Sequence, residues 1–294
     1  MTVMGKKKKK RIAGQSQLGL IIFRFKKNKL ACLGVVCLLL IALIVLTAPL
    51  YLSYDKAIKQ DIPVKFQSPN PEHPFGTDLF GRDLLARVVY GGRISLFAGL
   101  AVILLSLMVG VVFGGVAGYF GGRVDQLLMR FMDIFMAIPY MLLVLAIVTA
   151  LGEGTRNMII ALMVSNVPGY ARIIRSSIMT LRNQEFVEAA KCFGTSNYRI
   201  ITKHILPNGI GPVIVTATIT LGSTILAISS LGFLGVGISP PTPEWGSLLA
   251  DNRFYIRYHP YLGLIPGFAI MVTVMCVNFI GDGLRDALDP KMKK

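Results

Sequence analysis

Few ionisable side chains are placed where they could carry out chemistry. Asp133 borders a long apolar stretch, in which a carboxylate could relay protons, and it follows Arg130 by three residues. Charged groups in membrane spans are costly to insert and are commonly functional. Residues three apart on a helix are neighbours, however, so the spacing favours an ion pair at the membrane interface over a proton relay.

The cysteines and histidines do not form a recognisable ligand set. Three of the four cysteines lie in apolar stretches, and His73, His204 and His259 are far apart in the chain. Metal sites usually show short, repeated spacings of these residues. The sequence also lacks the G-x-x-x-x-G-K-[ST] phosphate loop of P-loop ATPases. We therefore expect no metal site, no catalytic group and no cofactor bound by this chain.

The apolar stretches contain serine, threonine and asparagine but no central glutamate, lysine or histidine. Ion-coupled carriers commonly need such a titrating group near the middle of the membrane. A self-sufficient secondary carrier or channel is therefore the disfavoured alternative. The composition favours a passage whose energy is supplied by another protein.

Membrane helices are the elements that must position these residues. The chain has 294 residues, 53% apolar and 16% charged, whereas soluble domains carry about 25% charged residues. Five uncharged runs approach or exceed the roughly 20 residues that cross a bilayer. A weaker run, 158–171, contains Pro168 and is expected to be a broken helix held by its neighbours. We predict an all-α integral membrane protein with six transmembrane helices. The five longer runs are residues 30–50, 94–122, 134–152, 205–243 and 260–281.

The net charge of +16 is distributed unevenly along the chain. With the N-terminus in the cytoplasm and six crossings, 22 of the 31 lysines and arginines fall on the cytoplasmic side. This bias predicts that both termini are cytoplasmic. The run Lys6–Arg11 is expected to be a tail attracted to anionic membrane lipid rather than to nucleic acid. The first span is too long for a cleaved signal peptide, so we expect it to be a signal anchor.

The segment between the first two spans, residues 53–93, is predicted to be extracytoplasmic. Its first part is rich in proline. Thr77 or Asp78 is then expected to cap a short interfacial helix that runs to Tyr90 and ends at Gly91 and Gly92.

Four glycines recur at every fourth residue of the second span: Gly110, Gly114, Gly118 and Gly122. Such a stripe lets another helix approach closely in a membrane. We expect these residues to form a packing face for a helix of this chain or of a second subunit.

A charged, amphipathic segment interrupts the apolar runs at residues 180–208. Phe186, Ala190 and Phe193 fall on one face of a predicted helix, which also carries Glu188. Helices that lie on lipid usually carry more lysine or arginine and bulkier anchors than this one. Its composition therefore favours docking into a cleft of another protein.

A glycine divides the amphipathic segment. Gly194 is expected to take the left-handed conformation that ends the first helix, and Thr195 or Ser196 to cap a second one. Pro207 is expected to stop that second helix before the fifth span.

The sequence EAAKCFG, followed by nine residues and HILP, resembles the E-A-A-x-x-x-G-x9-I-x-L-P loop of bacterial ABC-importer permeases. His204 stands where the general pattern has isoleucine. The stretches HPFGTDLFGRDLLARVVYGGRISL, SLGFLGVGISPPTPEWGSLL and GDGLRDALDP are similar to the dipeptide, oligopeptide and nickel branch of that family, and to its C-type subunit.

This resemblance implies a type I ABC-importer permease fold in the bacterial plasma membrane. The implied partners are a second permease forming a heterodimer, two cytoplasmic ATPases that bind ATP and Mg, and an extracytoplasmic solute-binding protein. The implied substrate is a dipeptide or oligopeptide, with nickel or another small solute as the alternative, and the substrate-binding residues are unassigned. A non-transporting membrane anchor explains the docking helix but not the other motifs.

The residues implied to couple to the ATPase are Glu188, Ala189, Ala190, Gly194, His204, Leu206 and Pro207. The expected divisions are a basic tail (1–29), the first transmembrane helix (30–52), the extracytoplasmic loop (53–93), a core permease domain of five spans (94–284) that contains the coupling loop (180–208), and a C-terminal tail (285–294).

Overall fold

Helices form the regular elements of residues 17–288, the part of the chain that the computed structural model describes. No β-strand occurs in this range. The basic run Lys6–Arg11 lies outside it. The main helices are α1 (Gln17–Phe25), α2 (Lys29–Tyr51), α3 (Leu84–Phe120), α4 (Gly122–Met136), α5 (Tyr140–Leu151), α6 (Thr155–Leu181), α7 (Glu185–Cys192), α8 (Leu206–Phe233), α9 (Trp245–Asn252) and α10 (Tyr261–Leu288). Short helical pieces occupy Asp55–Ile58, Ile62–Val64, Asn197–Arg199 and Ile200–Ile205.

Five of the described helices, α2, α3, α6, α8 with its preceding turn, and α10, are long and apolar enough to cross a membrane. The consecutive helices α4 and α5 meet at an angle of 88° and would make a sixth span if taken together. The predicted number of spans therefore agrees with the structure when the bent pair counts as one.

The broken span is the third rather than the fourth. Pro139 caps α5, so the predicted run 134–152 is divided between α4 and α5. In contrast, α6 continues through Pro168 for 27 residues. An internal proline costs a helix about 3 kcal/mol. Extensive packing of α6 against α3 compensates for it, because Pro168 and its neighbour Val167 are buried.

The predicted interfacial helix ending at Gly91 and Gly92 is wrong. A single helix, α3, begins after Asp83, whose carboxylate accepts a hydrogen bond from the Ala86 N–H at 2.8 Å. It passes through both glycines and ends at Phe120. The reason is a close contact with the indole of Trp245. A Cβ added at Gly92 would lie only 2.6 Å from the Cζ2 atom of that ring. The glycines therefore admit Trp245 instead of ending a helix.

Thr77 and Asp78 do not cap a helix, because both side chains form hydrogen bonds within the loop that precedes α3. The Thr77 hydroxyl donates to the carbonyl of Val64 at 2.5 Å. Asp78 accepts hydrogen bonds from the N–H groups of Phe80 and Arg82 at 2.8 and 2.9 Å. Both side chains are buried, so they fix the loop against the start of α3.

Three glycines of the predicted stripe face α6. Gly114 lies against the backbone of Ala171, and Gly110 and Gly118 lie against neighbouring turns of the same helix. Gly122 does not belong to this face. It begins α4 with a φ of +55°, and nothing lies within 4 Å of the position of its Cβ. The stripe ends early because the chain turns after Phe120, and its partner helix belongs to this chain.

A buried charge network lies at the loop end of the bundle, the end that carries residues 53–83 and 234–260. Asp78 accepts from the Arg82 Nε at 2.6 Å, and the Arg87 Nε lies 3.4 Å from the same carboxylate. Asp251 accepts from both arginines at 3.1 Å. Asp78, Arg82 and Arg87 are almost completely buried. The network therefore joins the loop, α3 and the end of α9.

Glu244 is a second buried acid at the loop end, and it caps α9. Its carboxylate accepts from the hydroxyls of Ser95 and Ser229 at 3.1 and 3.2 Å and from the N–H of Ser247 at 2.9 Å. Within the described residues it forms no ion pair. Burial raises the pKa of this carboxyl above its ordinary value, although these hydrogen bonds oppose the rise.

Candidate functional site

The candidate site is the connection between α6 and α8, residues 182–205, together with the start of α8. Its first helix, α7, buries Val187 and Ala190, which pack in a cluster with Ile200 and Ile205. The predicted apolar face was therefore partly wrong. Phe186 is exposed, because the buried stripe is rotated toward Val187.

Gly194 ends α7 as the sequence predicts, with a φ of +70°. Its N–H donates to the carbonyl of Lys191 at 2.9 Å, and the N–H of Thr195 donates to the carbonyl of Ala190 at 3.1 Å. This pair of bonds is the Schellman motif, which satisfies carbonyls at a helix end. The turn thus reverses the chain with its backbone groups paired.

The second helical segment starts after Ser196, within the predicted pair of caps, but Pro207 does not stop it. Instead, Ile200–Ile205 form a π-helical turn that leads directly into α8. The N–H of Leu206 donates to the carbonyl of Ile201, five residues earlier. Proline clashes with the carbonyl four residues before it in an α-helix. The wider π turn places Pro207 in the first turn of α8, where its missing N–H is tolerated.

The surface of the connection presents most of the residues implied to couple to the ATPase, together with two exposed aromatic side chains. Glu188, Ala189, Gly194 and Pro207 are exposed, Ala190 is buried, and His204 and Leu206 are half-buried. The aromatic residues are Phe193 and Tyr198, with 89% and 79% of their surfaces exposed. Aromatic residues are enriched at the cores of protein–protein interfaces.

Two contacts join the connection to the end of α3, and a third joins α6 to α4. The Arg182 guanidinium donates to the carbonyl of Gly118 at 3.0 Å, and the Tyr119 hydroxyl donates to Asn197 Oδ1 at 2.7 Å. Arg175 of α6 forms a bidentate ion pair with Asp125 of α4. These contacts attach the connection to the end of α3 and attach α6 to the first turn of α4.

Asp133 forms an ion pair, but with Arg172 of α6 rather than with Arg130. The Arg172 Nη2 and Asp133 Oδ1 are 2.8 Å apart, and both side chains are about half exposed. Arg172 follows Asp133 by 39 residues, so only the folded bundle brings the two together.

Comparison with known proteins identifies the family. Residues 110–294 match the family described as binding-protein-dependent transport system inner membrane component. The chain belongs to this family. Residues 16–69 match the N-terminal TM domain of oligopeptide transport permease C. The chain is thus a multi-pass membrane permease subunit and not an enzyme, and its family implies ATPase and solute-binding partners.

Several relatives match most of the chain. The dipeptide transport system permease protein DppC of Alkalihalophilus pseudofirmus is 47% identical over 92% of this chain and 88% of its own. The DppC of Bacillus subtilis is 40% identical over 92% and 85%, and the oligopeptide permease OppC of the same organism is 38% identical over 93% and 89%.

A solved structure supports the type I ABC-importer permease fold. A chain of the MetNI methionine ABC transporter in an inward-facing conformation matches 70% of this chain and 98% of its own, with a TM-score of 0.54 and 22% identity.

Proposed function

We propose that the chain translocates dipeptides or oligopeptides as one half of an ATP-driven importer. The observation that carries this proposal is the similarity to peptide permeases over more than nine-tenths of the chain. Nickel or another small solute is the alternative substrate. Specificity would depend largely on a separate solute-binding protein.

Both termini are proposed to be cytoplasmic in a bacterial plasma membrane. The excess of basic residues on one side supports this orientation. Asn28, before α2, donates to Asp286, near the end of α10, at 3.4 Å, so the first and last spans share this end of the bundle. Cys192 is exposed on α7. A membrane-impermeant thiol reagent should label it in inside-out vesicles but not in intact cells, and labelling of intact cells would reverse the orientation.

The exposed surface of the connection is proposed to dock into a cytoplasmic ATPase that binds ATP and Mg. Glu188 would offer a carboxylate to a basic group of the ATPase, while Phe193 and Tyr198 would supply apolar contact area. A second, similar permease would complete the translocation path, most simply as a heterodimer with two ATPases. The solute-binding protein would dock at the opposite, loop end of the bundle.

ATP-driven closure of the two ATPases would displace α7 and thereby rock the spans. The displacement would reach α3 through Arg182 and Tyr119, and α4 through the Asp125–Arg175 pair. Such rocking alternates access between the two sides of a membrane. This chain contributes no bond chemistry to the process.

Substitutions in the connection test the docking role. Glu188→Lys reverses the docking charge, and Gly194→Pro is incompatible with a φ of +70°. Each should abolish peptide uptake while leaving the amount of protein in the membrane unchanged. Glu153→Lys makes the same charge change at an exposed position of the other end and should leave co-purification with the ATPase unchanged, whereas Glu188→Lys should weaken it. Normal uptake by the Glu188 and Gly194 variants would contradict the docking role.

Two measurements separate the alternatives. Binding of dipeptides and of nickel ions to the partner solute-binding protein decides the substrate, and tight nickel binding without peptide binding would reject the peptide assignment. Transport by the purified chain alone, without ATPase partners, would reject the importer in favour of a secondary carrier.

A further inference from the structure

Helix α1 is joined closely to the first span, which restricts its place relative to the membrane. Lys26, Lys27 and Asn28 are the three residues between α1 and α2, and three residues span at most about 10 Å. Asn28 is extended, and its Oδ1 accepts a hydrogen bond from the Ala31 N–H at 3.1 Å. This cap starts a new helix instead of continuing α1. Because α2 is a membrane span, α1 lies at the membrane boundary.

The end of α1 is fixed against the end of α10. A Cβ added at Gly283 would lie 3.1 Å from the Phe25 Cε2 and 2.3 Å from the Ala31 Cβ. The missing side chain of Gly283 thus admits the corner between α1 and α2. Farther along α10, the Leu288 side chain lies 3.8 Å from the position of a Gly211 Cβ in α8. Helix α1 is therefore at the end of the bundle that carries the connection, opposite the loop end.

One side of α1 is exposed and combines large apolar side chains with basic ones. Ile22 and Phe23 are 55% and 44% exposed. The exposed Lys26 follows Ile22 by one helical turn, and its N–H donates to the Ile22 carbonyl at 3.0 Å. The Lys27 ammonium lies 4.8 Å from the centre of the Phe23 ring, a cation–π contact. Lys29 is exposed at the start of α2. We call these five residues the basic-apolar face.

The charge around this face is positive. No acidic residue precedes Asp55 in the sequence. Among the ion pairs of the described range, none involves a basic residue of α1 or of the basic-apolar face. Two exposed acids, Asp282 and Asp286, lie on the last turns of α10 at the same end, next to the exposed Arg285. The four basic residues of segment 24–29, together with Arg285, outnumber these two acids.

This combination of side chains suits a negatively charged membrane surface. Interfacial helices bury large apolar side chains at the boundary of headgroups and acyl chains and carry lysine and arginine on their polar side. Helix α7 has a contrasting composition, with two glutamates and one lysine among its eight residues. Neutral phospholipid would cover Ile22 and Phe23 but would leave three exposed lysines without a counter-charge. Anionic phospholipid satisfies both parts of the face.

We propose that the basic-apolar face of α1 binds anionic phospholipid at the connection end of the bundle. Ile22 and Phe23 enter the acyl boundary, while the lysine stems lie along it and bring their ammonium groups to the lipid phosphates. The bound helix holds Phe25 against Gly283 and thereby fixes the end of α10 beside α8. This inference depends neither on the proposed substrate and partners nor on the basic run Lys6–Arg11.

Fluorescence quenching tests the proposal with the full chain, together with the subunits that co-purify with it, in lipid nanodiscs. The native cysteines are first replaced by serine at Cys32, Cys37, Cys192 and Cys276. Ile22→Cys then carries an environment-sensitive NBD fluorophore on the basic-apolar face. Iodide quenches this fluorophore from water, and a lipid with a nitroxide close to its headgroup quenches it from the membrane. In nanodiscs that contain phosphatidylglycerol, the nitroxide lipid should quench it and iodide should not.

Charge substitutions separate anionic from neutral lipid. Lys26→Gln combined with Lys27→Gln should weaken docking about 25-fold, since each lysine near an anionic surface contributes about fivefold. Iodide quenching should then return, as it should for the unchanged lysines at about 1 M salt, where the screening length is about 3 Å. Lys26→Arg with Lys27→Arg keeps the charge and should retain docking. Lys56→Gln with Lys59→Gln removes two exposed lysines at the loop end and should leave the quenching unchanged.

Three outcomes would overturn the inference. Iodide quenching at every phosphatidylglycerol content would place the face in water. A fluorophore that neither quencher reaches would be covered by protein, as by an ATPase subunit. Nitroxide quenching that is equal in pure phosphatidylcholine and in the two glutamine-substituted lysine variants would mean contact with lipid without preference for its charge. The phosphatidylglycerol titration of the chain with all its lysines decides the result even where a variant fails to fold.

Discussion

Gly114 lies directly against the backbone of Ala171, so close that its absent side chain determines the distance between α3 and α6. A Cβ at residue 114 would meet the Ala171 carbonyl oxygen at 2.3 Å. Backbone atoms cannot move aside as a flexible side chain can. Gly114→Ala should therefore destabilise the protein by about 1–3 kcal/mol, the usual cost of overpacking.

Gly115 supplies a matched control one residue away. A Cβ there would meet only the end of Ile178 at 3.9 Å, an ordinary contact. Because alanine favours a helix over glycine by up to about 1 kcal/mol, Gly115→Ala should be neutral or stabilising. Thermal unfolding of both variants in detergent measures the difference. Equal melting temperatures for the two variants would contradict the close contact.

The charge network at the loop end should be sensitive to loss of Asp78. Asp78→Asn leaves Arg82 and Arg87, both almost completely buried, to share Asp251. Removing one partner of a buried ion pair costs about 3–5 kcal/mol. The emission of Trp245, the one tryptophan of the chain, should report a lower melting temperature. Glu72→Gln, an exposed change in the same loop, should leave it unaltered, and equal melting of the two variants would mean that the network does not stabilise the fold.

The exposed aromatic residues of the connection should act as anchors for the proposed ATPase. Phe193→Ala or Tyr198→Ala should weaken association with the ATPase roughly ten- to a hundredfold, the range of interface hot spots. Neither should change the melting temperature of the permease alone, since both side chains are largely exposed. Phe254→Ala removes a phenylalanine with 73% exposure at the other end and should leave association unchanged. Co-purification with the ATPase provides the measurement, and undiminished association of both connection variants would place docking elsewhere.

The local features of the sequence predicted much of the fold. Long uncharged runs indicated the spans because their length has to match the bilayer. Gly194 indicated the end of α7 because a positive φ there is easiest for glycine. These signals depend on a few neighbouring residues, which is why a single sequence sufficed.

Features that depend on tertiary packing were not predictable in the same way. Pro139 and Pro168 look alike in sequence, but only the first ends a helix, since α6 is held against α3 on both sides of Pro168. Likewise, the local spacing paired Asp133 with Arg130, whereas the bundle pairs it with Arg172. The orientation of α7 also depends on tertiary packing, because the residues that pack against Val187 determine which side of the helix is buried.

Glu244 should make the stability of the protein depend on pH. Its ordinary pKa is 4.5, and burial raises the pKa in the folded protein. Over the pH range between these values the folded state retains a proton that the unfolded chain has lost. This contribution to stability is therefore fully present below the ordinary pKa and declines as the pH rises through the raised one.

The neutral variant Glu244→Gln should remove that decline. Its amide oxygen can accept from the Ser247 N–H, and its amide group can donate to the hydroxyls of Ser95 or Ser229, so the buried hydrogen bonds survive. Melting temperatures measured between about pH 5 and 8 should fall less steeply for this variant than for the native chain, by about 2–4 °C for each kcal/mol recovered at the alkaline end. Glu153→Gln, which alters an exposed carboxylate, should retain the native slope. Identical slopes for Glu244→Gln and the native chain would mean that Glu244 stays ionised in the folded protein, held by the donors around it rather than by a proton.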